Sequence, residues 1–229
     1  MASFKKTIVI AVGGSLLVPE FIDVQFIKQL KSIIKDLIKQ NHQIALVIGG
    51  GKTARIYQSA ARDLGVEKST DLDWIGIKSI RLNCELLLRA FSDLDVHKKV
   101  IEKWEEAKGI QEHLTIVGAW EPGCSSDTDA IELAHVLGSK QVINFSNISH
   151  VYSEDPRKNP DAEKYEKLSW KEYQNLIPNA WVPGLSAPFD PVASRLAEKY
   201  GMRVVVLGTS LENLKNYLEA RDFEGTVIE

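Results

Sequence analysis

Cysteine is nearly missing from this chain of 229 residues, which holds only Cys84 and Cys124. They lie far apart and in no CxxC spacing, which excludes a disulfide framework and argues against a structural zinc site; reducing cytosol is the expected compartment. Glycine and proline, 15 and 8 residues, are too few for collagen-like or low-complexity architecture. No apolar run approaches the roughly 20 residues of a membrane-spanning helix, and the apolar stretch after Met1–Lys6 is too short for a signal-peptide core, so nothing is expected to target or anchor the chain. An excess of either charge is also lacking. With 28 Lys and Arg against 31 Asp and Glu, the net charge is -3 and the pI about 6.0. That argues against a coat for nucleic acid polymers or an anionic membrane, while a local basic pocket stays open.

Several catalytic signatures are absent as well. None of the five histidines (His42, His97, His113, His135, His150) stands at ligand spacing from another, so no metal held wholly by the protein is expected. Gly51-Lys52-Thr53 imitates the end of a P-loop, but Leu46 occupies the position of its first glycine. Gly13-Gly14 is followed by Ser15-Leu16-Leu17, which removes the GxGxxG fingerprint. Ser125 and Ser186 lack the second glycine of a nucleophile elbow.

What remains is an ordinary globular composition, 44% hydrophobic and 26% charged, in a chain long enough to bury roughly 70 per cent of its unfolded surface. Five nearly continuous apolar runs rich in β-branched residues occupy 7–12, 43–48, 114–119, 141–145 and 203–207, as parallel strands covered on both faces require. Amphipathic patterns at 22–40, 54–64, 74–91, 130–137 and 192–200 predict the helices between them. The alternation predicts an α/β fold, a three-layer αβα sandwich around a central, mostly parallel sheet, in a single domain over 1–229. Long loops are expected at 152–168 and at 178–191, the latter with Pro183, Gly184 and Pro188. The Lys- and Glu-rich stretch 97–106 reads as a solvated helix face.

Four segments at strand ends carry candidate chemistry. Val12-Gly13-Gly14-Ser15 lets backbone N–H groups approach an anion, and would equally serve as a tight strand exit. Gly49-Gly50-Gly51-Lys52-Thr53-Ala54-Arg55 joins three glycines, a helix start and two cations at one spot, a combination suited to phosphate. Glu121-Pro122-Gly123-Cys124-Ser125-Ser126-Asp127 follows the third strand and opens a helix; its Ser and Asp also suit plain N-caps. Ser146-Asn147, followed by Tyr152-Ser153-Glu154-Asp155-Pro156, offers a stacking ring and a carboxylate for a ribose hydroxyl. These strand ends would share one edge of the sheet, where open α/β folds bind ligands.

In this order the segments resemble the amino acid kinase superfamily, and within it the UMP kinases of archaeal type, over essentially the whole chain. Gly49–Tyr57 with Ala60-Ala61-Arg62 is similar to the family's GGGxxARxY segment. Asp73-Trp74-Ile75-Gly76-Ile77 with Arg81-Leu82-Asn83 resembles its D-x-x-G-I element, 122–127 its PGxTTD loop, and 152–156 its YxxDP element. The resemblance implies transfer of the γ-phosphoryl group of ATP to UMP, with Mg²⁺ accompanying ATP, in a cytoplasmic homo-oligomer, a hexamer built of dimers. It implies that Gly13, Gly14, Ser15, Gly51 and Arg55 hold the ATP phosphates and that Ser146, Asn147, Tyr152 and Asp155 hold its nucleoside. Gly50, Asp73, Gly76 and the loop Glu121, Pro122, Gly123, Cys124, Ser125, Ser126 and Asp127 would hold UMP. The UMP side would be built by residues 1–138 and the ATP side by 139–229.

The chain departs from the pattern at two places. Ala11 stands where many members carry a strand-one lysine, so Lys52 or Arg55 is expected to supply the transition-state cation. Asn147-Ile148-Ser149-His150 replaces N-V-D-G, exchanging an acid for Ser149 and a glycine for His150. Two further readings follow from the same residues: a nucleotide-binding or storage protein of this fold that has lost transfer, and a kinase with another small acceptor.

Overall fold

A computed structural model of the chain describes residues 4–156, 158–178 and 187–229; Pro183, Gly184 and Ser186 therefore lie outside the described residues. The expected strands appear as β1 (Thr7–Val12), β2 (Gln43–Ile48), β3 (Leu114–Val117), β4 (Gln141–Phe145) and β8 (Arg203–Leu207). β3 ends two residues earlier than the apolar run, because Gly118 turns aside and its N–H donates to Ile101 O. Three short strands were not legible as such: β5 (Val151–Tyr152) and β6 (Lys164–Tyr165), which form a hairpin, and β7 (Lys167–Leu168). β9 (Thr226–Ile228) completes the set.

The main sheet runs β3-β2-β1-β4-β8-β9-β7. The first five strands are mutually parallel, and β9 lies antiparallel to β8. Register follows the pleat. In β1, Ile8, Ile10 and Val12 face one layer while Val9 and Ala11 face the other. The first layer is built by α2 (Val24–Lys39), α4 (Ser69–Ala90) and α8 (Leu211–Leu218), whose Leu30, Ile34, Leu87 and Leu214 are fully buried. Each such side chain contributes about 2 kcal/mol. The second layer is α5 (Ser126–Val136), α6 (Trp170–Leu176) and α7 (Pro191–Lys199), through Ala130, Ile131, Tyr173 and Ala193. The three-layer α/β architecture read from the pattern is the one observed.

Helix starts moved where caps outrank periodicity. The 22–40 pattern begins at Val24, since Asp23 caps it by accepting from Phe26 N. The pattern at 74–91 extends back to Ser69, and the one at 54–64 starts inside the glycine triplet as α3 (Gly51–Asp63). A four-residue helix α1 (Gly14–Leu17) follows the first glycine pair.

Candidate functional site

Parallel strands place their carboxyl ends together, and the predicted segments meet there. The two glycine loops interlock. A methyl group on Gly14 would lie 2.0 Å from Gly51 N and 2.5 Å from Gly49 C, and one on Gly51 would lie 2.3 Å from Gly14 O. Gly51 also has φ +60, and Lys52 N donates to Val18 O at 2.9 Å. The glycines are thus demanded by one another, and the interlock sets the amino end of α3 beside the carboxyl ends of β1 and β2. A methyl on Gly13 would sit 3.2 Å from Ser146 Cα, so the loop after β4 closes on the same spot.

The cations differ in their engagement. Lys52 Nζ pairs with Glu20, 2.9 Å from Oε2 and 3.2 Å from Oε1. Arg55 is exposed on α3 and makes no hydrogen bond or ion pair among the described residues, which leaves its guanidinium open to an incoming anion. Ala11 is buried on the face covered by α5, so nothing basic stands on β1 beneath that helix.

Helix α4 ties the site together at three points. Asn83 Nδ2, in the buried part of the helix, donates to Gly49 O at 3.1 Å and Gly50 O at 3.2 Å. Arg81 donates to Ala119 O and Trp120 O at 3.1–3.3 Å and pairs with Glu102 at 2.9 Å. Asp73 Oδ2 accepts from Gly123 N at 3.2 Å. Asn83 and Arg81 had carried no separate role in the sequence reading; a lone Asn on the buried stripe of an apolar helix was the available signal. Gly76 is buried on α4 against α3, where a methyl would lie 2.7 Å from Gln58 Nε2, so the close approach of the two helices calls for its lack of a side chain.

The loop 120–127 runs from Trp120, which meets Trp104 edge-on at 4.2 Å and has Lys103 Nζ 5.8 Å from its ring, to the start of α5. Ser125 caps α5 by accepting from Thr128 N at 3.2 Å, and Ser126 is its first residue. Asp127 Oδ2 accepts from Asp190 N at 2.9 Å, and Asp190 Oδ1 in turn caps α7 through Val192 N and Ala193 N. Removal from solvent pushes the half-buried Asp127 up to about 7, with the Asp190 charge adding and the Asp190 N–H opposing. The Cys124 thiol is pushed up to about 11, first by burial and then by Asp129. Asp190 and Asp129 were missed by sequence reasoning, although Asp-Pro at a helix start signalled the first.

Ser146 and Asn147 follow β4 directly, Tyr152 ends β5, and Asp155 lies three residues beyond it. Ser146 N donates to Leu207 O at 3.0 Å, and Ser146 Oγ accepts from Ile148 N at 3.3 Å. Ser149 Oγ stands 3.4 Å from Tyr152 OH, and a methyl on Gly208 would touch Ser149 at 3.1 Å. Asp155 O accepts from Lys158 N and Asn159 N, both at 2.9 Å, so Asp155 opens a turn at the edge of the hairpin. Buried His150 meets Tyr152 edge-on at 6.1 Å, and burial, then the Lys164 charge, hold its pKa below the ordinary value. An open cavity of about 530 Å³ adjoins this cluster, lined by Ser149, Gly208, Thr209, Asn216 and Phe223. Among the described residues no three His, Cys, Asp or Glu side chains are arranged to hold a metal, and no helix is long and apolar enough to cross a membrane.

Two interlocked glycine loops and an exposed guanidinium thus stand together at the carboxyl ends of β1 and β2. A sequence profile for the amino acid kinase family matches residues 6–208. The chain belongs to the amino acid kinase family. Within it, the uridylate kinase of Pyrococcus abyssi is 34% identical over 225 residues, covering 97% of this chain and 99% of that one. The uridylate kinase of Methanocaldococcus jannaschii is 34% identical over 226 residues, covering 97% and 99%. The crystal structure of uridylate kinase from Archaeoglobus fulgidus superposes with a TM-score of 0.81 at 31% identity, covering 97% of this chain and 99% of that one.

Proposed function

We propose that this amino acid kinase family member transfers the γ-phosphoryl group of ATP to UMP, giving UDP. The observation that carries the reading is the tie between Asp73 and Gly123, which draws α4 and the 120–127 loop together opposite the interlocked glycines. The acceptor nucleotide fits between them: Asp73 takes ribose hydroxyls, Glu121–Asp127 surround the nucleotide, and Gly50 meets its phosphate. On the other side Gly13, Gly14, Ser15, Gly51 and Arg55 take the triphosphate, and Ser146, Asn147, Tyr152 and Asp155 its nucleoside. The amino end of α3, the positive end of its dipole, points at the phosphates. The acceptor is held within the first 138 residues, which also supply the loops for the donor's phosphates, and the donor's nucleoside is held by the rest.

Phosphoryl transfer asks for in-line positioning and for stabilisation of charge spread over the phosphate oxygens, with no covalent residue. Arg55 supplies the cation that Ala11 does not. Lys52 joins it once a phosphate draws its ammonium from Glu20. Mg²⁺ enters on the ATP phosphates as part of the substrate, which needs few protein ligands. The cytoplasm is the matching compartment.

Oligomer formation is part of the same reading. Ile56, Tyr57 and Leu64 on and after α3, with Trp74 and Leu82 on α4, expose 44–85% of their surface on the two helices that carry the site. A second copy covers this apolar face, and such dimers assemble into the hexamer.

A coupled assay of nucleoside diphosphate formation from MgATP with UMP, CMP, AMP or no acceptor tests the activity. Turnover with UMP far above the others is expected. Tight binding of both nucleotides without turnover would instead mark a binding protein, and turnover with none of the nucleoside monophosphates would point to another acceptor.

A further inference from the structure

Asp129, in the first turn of α5, is 2% exposed, and neither of its carboxylate oxygens has a hydrogen-bond partner. A buried acid in that condition destabilises the fold that holds it and calls for an explanation. Among the described residues its surroundings offer no cation. Glu121 and Asp127 face it, with Cys124 and Asp190 beside them, and burial followed by the Glu121 and Asp127 charges pushes its pKa up to about 7. One donor is near: the backbone N–H of Trp120 acts on the carboxylate in the opposite sense without closing a full hydrogen bond.

Trp120 and Asp129 are the two ends of the acceptor loop. The Trp120 end is gripped through its carbonyl by Arg81, and the tip is held by Asp73 at Gly123. Between them the loop has room to adjust. Gly123 has φ +87 and nothing within 4 Å of an added Cβ, and Glu121 is exposed.

We propose that Asp129 is a positioning residue for the acceptor loop: its carboxylate accepts the Trp120 N–H when the loop closes over the acceptor nucleotide and lacks that bond when the site is empty. The inference rests on the UMP kinase reading. Its logic is one of coupled equilibria. The empty chain carries an unsatisfied buried acid, acceptor binding relieves it, and the relief adds to acceptor affinity. Removing the acid therefore stabilises the empty chain and weakens the acceptor, whereas a purely structural Asp129 gives a lower melting temperature on replacement.

Calorimetric titration of UMP and, separately, of ATP into the wild-type chain, Asp129→Asn and Asp129→Leu at pH 8, with thermal melts of each unliganded protein, tests this. Expected are a melting temperature raised by about 2–4 °C in both variants, UMP binding weakened by about ten- to a hundredfold in Asp129→Leu as for loss of one charge-assisted hydrogen bond and by about three- to tenfold in Asp129→Asn, whose Oδ1 still accepts without the charge, and ATP binding within about twofold. If Asp129→Leu fails to fold, the near-isosteric Asn variant decides. Unchanged UMP affinity, or a lowered melting temperature in the Asn variant, overturns the positioning role alone. A wild-type chain that binds ATP but not UMP overturns the UMP reading and this inference with it.

Discussion

Gly14 and Gly51 meet backbone to backbone, so closely that a methyl on the first would stand 2.0 Å from the nitrogen of the second. Gly14→Ala must therefore force the two loops apart. We expect a loss of about 3 kcal/mol in urea denaturation, with turnover abolished. Gly123→Ala, where the obstacle is φ +87 in open space, costs about 1–2 kcal/mol. Equal costs for the two would mean that the interlock does not constrain the loops.

Asn83 reaches two carbonyls of the second glycine loop from the buried part of α4. Its replacement by Ala leaves Gly49 O and Gly50 O without that donor. Stability falls by about 1–3 kcal/mol, and the Michaelis constants for both nucleotides rise, because the loop between them loses its anchor. Steady-state kinetics with either substrate varied provide the check.

Arg55 and Lys52 separate catalysis from stability. Neither is buried, and Arg55 has no partner among the described residues, so Arg55→Ala leaves the melting temperature nearly unchanged while turnover drops by about ten- to a thousandfold. Lys52→Ala removes only an exposed pairing with Glu20, worth about 0–1 kcal/mol, and lowers turnover with UMP affinity little changed. Full turnover in both variants would leave the charge developing on the phosphates without a protein cation.

The acids of α5 give stability an unusual pH dependence. Asp127 and Asp129 stand at about 7 in the folded chain against an ordinary 3.8. Between these values the folded chain holds more protons than the unfolded one, so this contribution to stability is greatest at the acid end and declines as pH rises, levelling above about 7. Glu121, Cys124, Glu132, Tyr173 and Asp190, the other ionisable groups around the pair among the described residues, add no positive charge to offset it. Denaturation at pH 5, 6, 7 and 8 should show the decline in the wild type and a shallower one in Asp129→Asn; parallel curves would show that Asp129 titrates alike in both states.

Leu82 is 63% exposed on α4. Leu82→Glu places a charge in the face assigned to a second copy, and sedimentation should report smaller particles with an unchanged circular dichroism spectrum. A wild-type monomer would remove that assignment.

The sheet was legible because both faces of every central strand are covered, leaving continuous apolar runs such as Gln43–Ile48 that resemble nothing else in the chain. The short strands β5, β6, β7 and β9 were not, since two or three residues carry no periodicity. In the site, glycines and hydroxyls after strands stood out through their unusual grouping. What escaped was the tertiary wiring: that Asn83 turns inward to the glycine loop, that Asp190 reaches Asp127 across 63 positions, and that Gly76 serves the packing of α3 on α4. Spacing along the chain says nothing about such partners. The departure at Ala11 was visible at once, but its physical meaning needed the sheet, which shows that its side chain belongs to the face under α5.

That placement gives the cleft two unlike walls. Beneath α5 the first turn holds Asp127 and Asp129 and the strand below brings no base, while the wall at α3 presents Arg55 and the amino end of a helix. A field therefore runs across the gap, and it sorts what arrives. On the proposed reading, the phosphates of both nucleotides would gather at the α3 wall, and the acidic wall would leave its neighbourhood to their less charged parts.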